Sequence, residues 1–257
     1  MAAGSLTVVG TGIRLMTQLT PESRVAIEQA DKVLYVATGP VMDRWLTQIH
    51  PRAENLRGLY RPGAPRRETY EQIVEAVLAA VRGGSRVCFV VYGHPGVVVY
   101  AAHEAIRRAR SEGARAEMLP GISSEDCLFA DLGVDPGDTG YQSFDATDFL
   151  VQRRRFDPRS ALLLYQISAI GLSRHTLDMP NVRGLEVLAA RLAEHYPPDH
   201  QAIVYTAAEL PAFQPTIART TVSGLPGAEV PIASSLFVPP LAQDPLDPDI
   251  LAALAPL

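Results

Sequence analysis

The stretch Val87-Cys88-Phe89-Val90-Val91-Tyr92-Gly93-His94-Pro95-Gly96 decides the fold. Its first five residues are apolar and mostly β-branched, which predicts a strand buried on both faces, as in a parallel sheet. Two glycines and a proline then end the strand in a tight turn. Open α/β sheets bind ligands just beyond the carboxyl ends of such strands. Tyr92 and His94 are therefore expected at the mouth of a site. The glycines let backbone approach a ligand closely, since no Cβ stands in the way. A plain Gly/Pro turn with a core tyrosine fits the same residues.

Outward from this strand, strand and helix signals alternate. Leu6-Thr7-Val8-Val9 is a short apolar run ending at Gly10-Thr11-Gly12. Thr20-Pro21-Glu22 predicts a helix start: a hydroxyl N-cap, proline at the first helical position, and an acid near the positive helix end. That helix should reach about Ala30, and Lys32 to Val36 reads as the next strand. Tyr70, Ile73, Val74, Val77, Leu78 and Val81 recur at helical spacing until Gly83-Gly84. A helix from about Val99 to Arg110 and a strand from Ala116 to Leu119 follow. This βαβα order predicts mostly parallel strands.

Beyond residue 119 the pattern changes. Gly121 to Asp126 reads as a loop feeding a short helix through Leu132. Leu162 to Tyr165, a helix around Leu185 to His195, Ala202 to Tyr205, and Ser235 to Val238 predict a second unit with a mixed sheet. The expected organisation is an α/β domain over 1–119, an α+β domain over 120–240, and a tail over 241–257. Prolines and acids in the tail predict an exposed linker, and its apolar end, Ile250 to Leu254, could dock on the body or a partner.

The bulk composition narrows the function. Hydrophobic residues make up 47% and charged residues 20% of 257, a globular balance. A net charge of −5 leaves no global electrostatic footprint for nucleic acid. Two distant cysteines, Cys88 and Cys127, form no disulfide framework or zinc motif, which fits a reducing cytoplasm. No signal peptide or membrane-length apolar run is expected.

Gly10-Thr11-Gly12 resembles the start of a dinucleotide fingerprint, but Leu15 stands where a third glycine belongs. A tight turn near a ligand fits better. Arg66 and Arg67 open a helix, where cations oppose the macrodipole; they face something specific or form a solvated pair. Tyr70 continues its helix's apolar stripe, so a core role fits it as well. No nucleophile–base triad emerges, and His50, His103, His175, His195 and His200 read as surface or structural. No metal-ligand spacing is present.

Three segments together go further: Val8-Val9-Gly10-Thr11-Gly12, Tyr92-Gly93-His94-Pro95-Gly96 and Leu119-Pro120-Gly121-Ile122-Ser123-Ser124. The set resembles the class III, tetrapyrrole-methylase fold of S-adenosylmethionine (SAM)-dependent methyltransferases, in which two domains hold folded SAM in a cleft. Arg66-Arg67-Glu68-Thr69-Tyr70, Ser124 to Leu132 and Pro239-Pro240 are similar to the borosin peptide backbone N-methyltransferases. The Tyr-Gly-His-Pro-Gly turn replaces the Gly-Asp-Pro more usual in tetrapyrrole and diphthine methylases.

The resemblance implies methylation of backbone amides in a ribosomal precursor peptide, with S-adenosyl-L-homocysteine as the product. With no precursor core beyond Pro240, it further implies a split enzyme acting on a separate precursor. A homodimer is expected, with a 2:2 precursor complex allowed, and neither nucleic acid nor membrane as partner.

By motif, the resemblance assigns Tyr60 and Tyr70 to proton removal or relay, Arg66 to the carbonyl oxygen, and Tyr92 to orienting the methyl group. For SAM it suggests Tyr92, His94, Val97, Val98, Ser123, Ser124, Gln166, Tyr205, Ala207, Ser234 and Ser235. The runners-up are a tetrapyrrole or diphthine-type methyltransferase and a non-catalytic SAM- or peptide-binding module.

Overall fold

The structure is a computed structural model that describes residues 4–176 and 180–254. Residues 1–3 and 255–257, at the outer ends of the expected first domain and tail, lie outside the described residues. The first half contains β1 (Ser5–Gly10), α1 (Pro21–Gln29), β2 (Lys32–Tyr35), α2 (Pro40–Ile49) and β3 (Ala53–Asn55). It continues through α3 (Arg66–Arg82), β4 (Arg86–Val91), α4 (Tyr100–Ser111) and β5 (Arg115–Met118). The second half begins with α5 (Ser124–Leu132), α6 (Pro136–Thr139), β6 (Tyr141–Asp145), α7 (Ala146–Val151) and β7 (Ala161–Tyr165). It ends with α8 (Val182–Leu192), β8 (Gln201–Thr206), β9 (Thr216–Thr221), β10 (Ser235–Val238) and α9 (Pro248–Leu254).

The first sheet is parallel throughout, in the order β3-β2-β4-β1-β5. Alternation along β4 sends Val87, Phe89 and Val91 into the core under α3 and α4. Cys88 and Val90 point to the opposite face, with Ile27 of α1 and Met42 and Leu46 of α2. Both faces are covered, which is why the strand reads as unbroken apolar sequence. Thr20 caps α1 as its sequence predicts, accepting the Ser23 amide.

The second sheet is mixed, in the order β6-β7-β10-β8-β9, with β6 and β7 parallel and the other pairs antiparallel. Leu162 and Leu164 of β7 pack under α7 and α8. Leu163 and Tyr165 face the other way, in a cluster with Leu128 of α5, Tyr205, Phe237 and Ile13. Ile13 follows β1, so this cluster joins the two halves through apolar burial.

The tail is exposed from Ala242 to Leu254, and α9 buries none of its side chains. Its start is held beside the loop between α7 and β7: Leu241 donates its amide to Pro158, and Arg159 pairs with Asp244 at 2.8 Å. The helix α2 and the edge strands β3, β6 and β9 have no counterpart among the elements expected from sequence.

Candidate functional site

Three strand-end turns are stacked where the halves meet. Gly12 and Gly93 exchange backbone hydrogen bonds of 3.3 and 3.1 Å. A Cβ on Gly10 would lie 2.0 Å from the Gly93 carbonyl oxygen, and one on Gly121 would lie 3.2 Å from the same atom. The absence of a Cβ at Gly10 and Gly121 lets these turns approach one another. Gly93 also needs its φ of +73°, which favours glycine.

Two cavities open beside this stack and share Tyr92 as a wall. The larger, about 850 Å³, is lined by Tyr60, Arg66, Tyr70, Tyr92, Val98 and Gln166 among others. All four residues assigned to chemistry by resemblance therefore meet in one cavity. Arg66 donates from Nε and Nη2 to the Tyr70 hydroxyl at 3.2 and 3.1 Å. The same Nη2 reaches Oε1 of Gln166 at 3.2 Å, tying α3 to the end of β7. The Tyr60 and Tyr70 rings meet edge-on with centroids 6.4 Å apart. Burial, then the neighbouring Tyr70, pushes the Tyr60 hydroxyl up to about 12. Burial also raises Tyr92, helped by the Glu209 carboxylate. These phenols stay protonated at neutral pH.

The loop carrying Tyr60 is pinned from the second half. Gly63 donates to the His175 carbonyl at 2.7 Å, and Arg66 donates its amide to that of Ser173 at 2.9 Å. The His175 ring lies 4.9 Å from Tyr60 and 6.3 Å from Tyr70, centroid to centroid, and bonds Oγ1 of Thr69 at 3.1 Å. Burial, then the Arg66 guanidinium, holds this imidazole below its ordinary value.

The smaller cavity, about 140 Å³, is lined by His94, Val97, Ser123, Ser124, Ala207 and Glu209, besides Tyr92. His94 accepts the Gly96 amide on Nδ1 at 2.9 Å, so its proton sits on Nε2. Ser123 caps α5 in a reciprocal box with Asp126. Three predicted residues line neither cavity. Tyr205 is buried with its hydroxyl on Asp131 at 2.7 Å, Ser234 bonds Thr206 at 2.7 Å, and Ser235 lies buried in β10.

Backbone strain concentrates here. Val98 and Gln166 line the larger cavity at φ 55° and 57°, and Ala233 lines the smaller at 66°. Such conformations cost about 1–3 kcal/mol for non-glycine residues and cluster at ligand sites.

Sequence reasoning did not single out Arg57, Asp145 or Glu209, and it read His175 as surface or structural. Glu209 follows the end of β8, where the strand-end rule could have found it. His175 carried no local signal, because its neighbours come from the loop over 60–66. Among the described residues, no group of three or more His, Cys, Asp or Glu is placed to hold a metal ion. No described helix is long and apolar enough to cross a membrane.

The chain belongs to the tetrapyrrole (corrin/porphyrin) methylase family, which it matches over residues 5–225. Its fold is also that of the uroporphyrin-III C-methyltransferase of Thermus thermophilus, at TM-score 0.67 and 21% identity over 100% of this chain and 98% of that one. Within the family it is similar to borosin methyltransferases. One relative, at 38% identity over 246 residues, is the methyltransferase/type I borosin cyclic peptide precursor of Coprinopsis marcescibilis, aligned over 93% of this chain and 63% of that protein. Another, at 42% over 242 residues, is the methyltransferase/gymnopeptides precursor of Gymnopus fusipes, aligned over 93% of this chain and 58% of that protein. The chain spans about three fifths of the length of these curated relatives.

Proposed function

We propose that this protein uses SAM to N-methylate backbone amides of a separate ribosomal precursor peptide. The observation that carries the reading is the Arg66–Tyr70 pair, bonded at 3.1 Å beside Tyr60 and Tyr92 in one cavity. The names of the curated relatives, which join a methyltransferase to a peptide precursor, support it.

The residues fit SAM. The hydroxyl of Ser124 and the carboxylate of Glu209 have no side-chain partner among the described residues and face the smaller cavity, beside apolar Ile13 and Val97. That cavity alone is small for a cofactor, but joined to the larger across Tyr92 it falls within the roughly 300–1,000 Å³ of ligand sites. When bound, SAM supplies an electrophilic methyl group.

An amide nitrogen is a poor nucleophile, since its lone pair is delocalised into the carbonyl. Losing the N–H proton puts negative charge on the oxygen. Arg66 stays cationic throughout and donates to that oxygen. The Tyr70 oxygen already accepts from Arg66, so its own proton is free to point into the cavity. Tyr60 and Tyr70 pass the amide proton toward solvent, and Tyr92 would orient the methyl group of bound SAM. S-adenosylhomocysteine and the methylated amide leave.

We also place the enzyme in the cytoplasm as a homodimer; a monomer mass by light scattering at micromolar concentration would contradict the dimer. The catalytic reading is tested by incubating the protein with SAM and apolar peptides. It requires peptide-dependent release of S-adenosylhomocysteine, and release that is equal without peptide would sink it.

A further inference from the structure

We infer that the peptide taken by the large cavity carries Asp or Glu beside its apolar core. This inference rests on the peptide-substrate reading above and names the chemistry of that peptide. The floor of the cavity is apolar, formed by Val36, Ile73, Phe89, Val91 and Val99. Its rim is cationic. Arg57 and Arg67 line it directly. Arg57 is anchored by a 2.9 Å bond from Nη1 to the carbonyl of Ala37, another lining residue. Arg61 sits exposed in the loop after Tyr60. Arg174, from the second half, reaches over that loop to the Gly63 carbonyl at 2.7 Å.

None of these four, nor Arg66, is in an ion pair with a described residue. Elsewhere arginines are typically neutralised: Arg82, Arg86, Arg108, Arg154 and Arg183 each lie within 3.1 Å of a carboxylate. Among the described residues, the single acid lining the cavity, Asp145, is occupied in accepting the Thr147 and Asp148 amides at 2.9 and 3.0 Å. Arg67 also stands at the N-terminus of α3, where the helix dipole disfavours a cation. Among the described residues, ten arginines have no ion pair, and five of them, Arg57, Arg61, Arg66, Arg67 and Arg174, gather at this cavity and the loop beside it in a chain of net charge −5.

That arrangement matches a peptide whose hydrophobic residues sit on the floor and whose flanking carboxylates meet the rim. Guanidinium groups take carboxylates in paired hydrogen bonds. At a Debye length of about 8 Å the attraction is local, so the net charge of the whole chain does not oppose it.

The test uses three labelled peptides with one Val/Ile/Gly core, flanked by Asp and Glu, by Asn and Gln, or by Lys. Binding to the full chain is read by fluorescence anisotropy at low and high salt. Exposed pairs contribute modestly each, so the acidic flanks should bind roughly tenfold tighter than the neutral ones at low salt, with the gap closing as salt rises. The double variant Arg61→Glu with Arg67→Glu, checked for an unchanged unfolding midpoint, should favour the Lys-flanked peptide instead.

Equal affinity for all three peptides would overturn the inference, as would an acidic preference kept by the double variant. An RNA oligomer of equal length that displaces the acidic peptide at equal concentration would reassign the rim to phosphate. Methyl transfer to peptide with flank-indifferent binding overturns this inference alone. Flank-dependent binding without methyl transfer supports it while overturning the methyltransferase reading.

Discussion

The hydroxyl of Tyr70 accepts two donors from Arg66, so its proton must point elsewhere. Tyr70→Phe keeps the ring and its packing but removes that oxygen. Turnover should fall by about 10²-fold or more if the hydroxyl relays a proton, with SAM affinity unchanged by calorimetry. Turnover near wild type would mean a packing role only. Arg66→Lys should fail similarly, since lysine keeps the charge but loses the planar fork that spans Tyr70 and Gln166. His175 offers a pH handle. Its imidazole titrates below the usual value in the folded state, because burial and Arg66 disfavour its cation. The unfolded chain therefore takes up the proton first as pH falls, and this contribution to stability is lost below about pH 6.5. Unfolding midpoints of wild type and His175→Gln, compared from pH 8 to pH 5, should show the wild type losing ground on the acid side. A constant difference would contradict the assignment.

At the scale of elements, the three glycine turns hold the site's geometry. Gly10→Ala puts a methyl 2.0 Å from the Gly93 oxygen, a backbone atom that cannot swing aside. Overpacking of this kind costs about 1–3 kcal/mol or more, visible as a lower denaturation midpoint. Gly58→Ala, with no atom within 4 Å of the added methyl, is the control and should be near neutral. The elements legible in sequence were those with strong local causes. β1, β4, β7, β8 and β10 are buried on both faces and read as apolar runs. α1 announces itself with a threonine cap and a proline. The edge strand β6, Tyr141-Gln142-Ser143-Phe144-Asp145, buries no residue fully, and β9 is similarly exposed, so neither carries an apolar signature. The helix α2 begins at Gly39, which offers no side-chain cap. The site was legible only in part. Tyr92 follows from the strand-end rule, and Arg66 stands out against the helix dipole. Tyr60, Tyr70 and Gln166 came from resemblance, and His175 and the arginine rim exist only once the loops over 60–66 and 171–176 are brought together.

For the whole molecule, the apolar cluster of Ile13, Leu128, Leu163, Tyr205 and Phe237 welds one half to the other. Phe237 is 2% exposed, and Phe237→Ala should cost about 3–5 kcal/mol. Calorimetry should show one cooperative transition in wild type, since the halves share this core; two separated transitions would contradict the shared core. The weld aligns Gln166 of one half with Arg66 of the other and sets the pinned loop over the larger cavity. The central claim is that this assembled cavity methylates backbone nitrogen. Tandem mass spectrometry of an apolar, acid-flanked peptide after incubation with the protein and SAM tests it most directly. The account predicts added methylene masses that fragment with backbone amide nitrogens of the apolar core and vanish in Tyr70→Phe. Methyl groups on side chains or termini, or an unmodified peptide while the protein binds SAM, would contradict it.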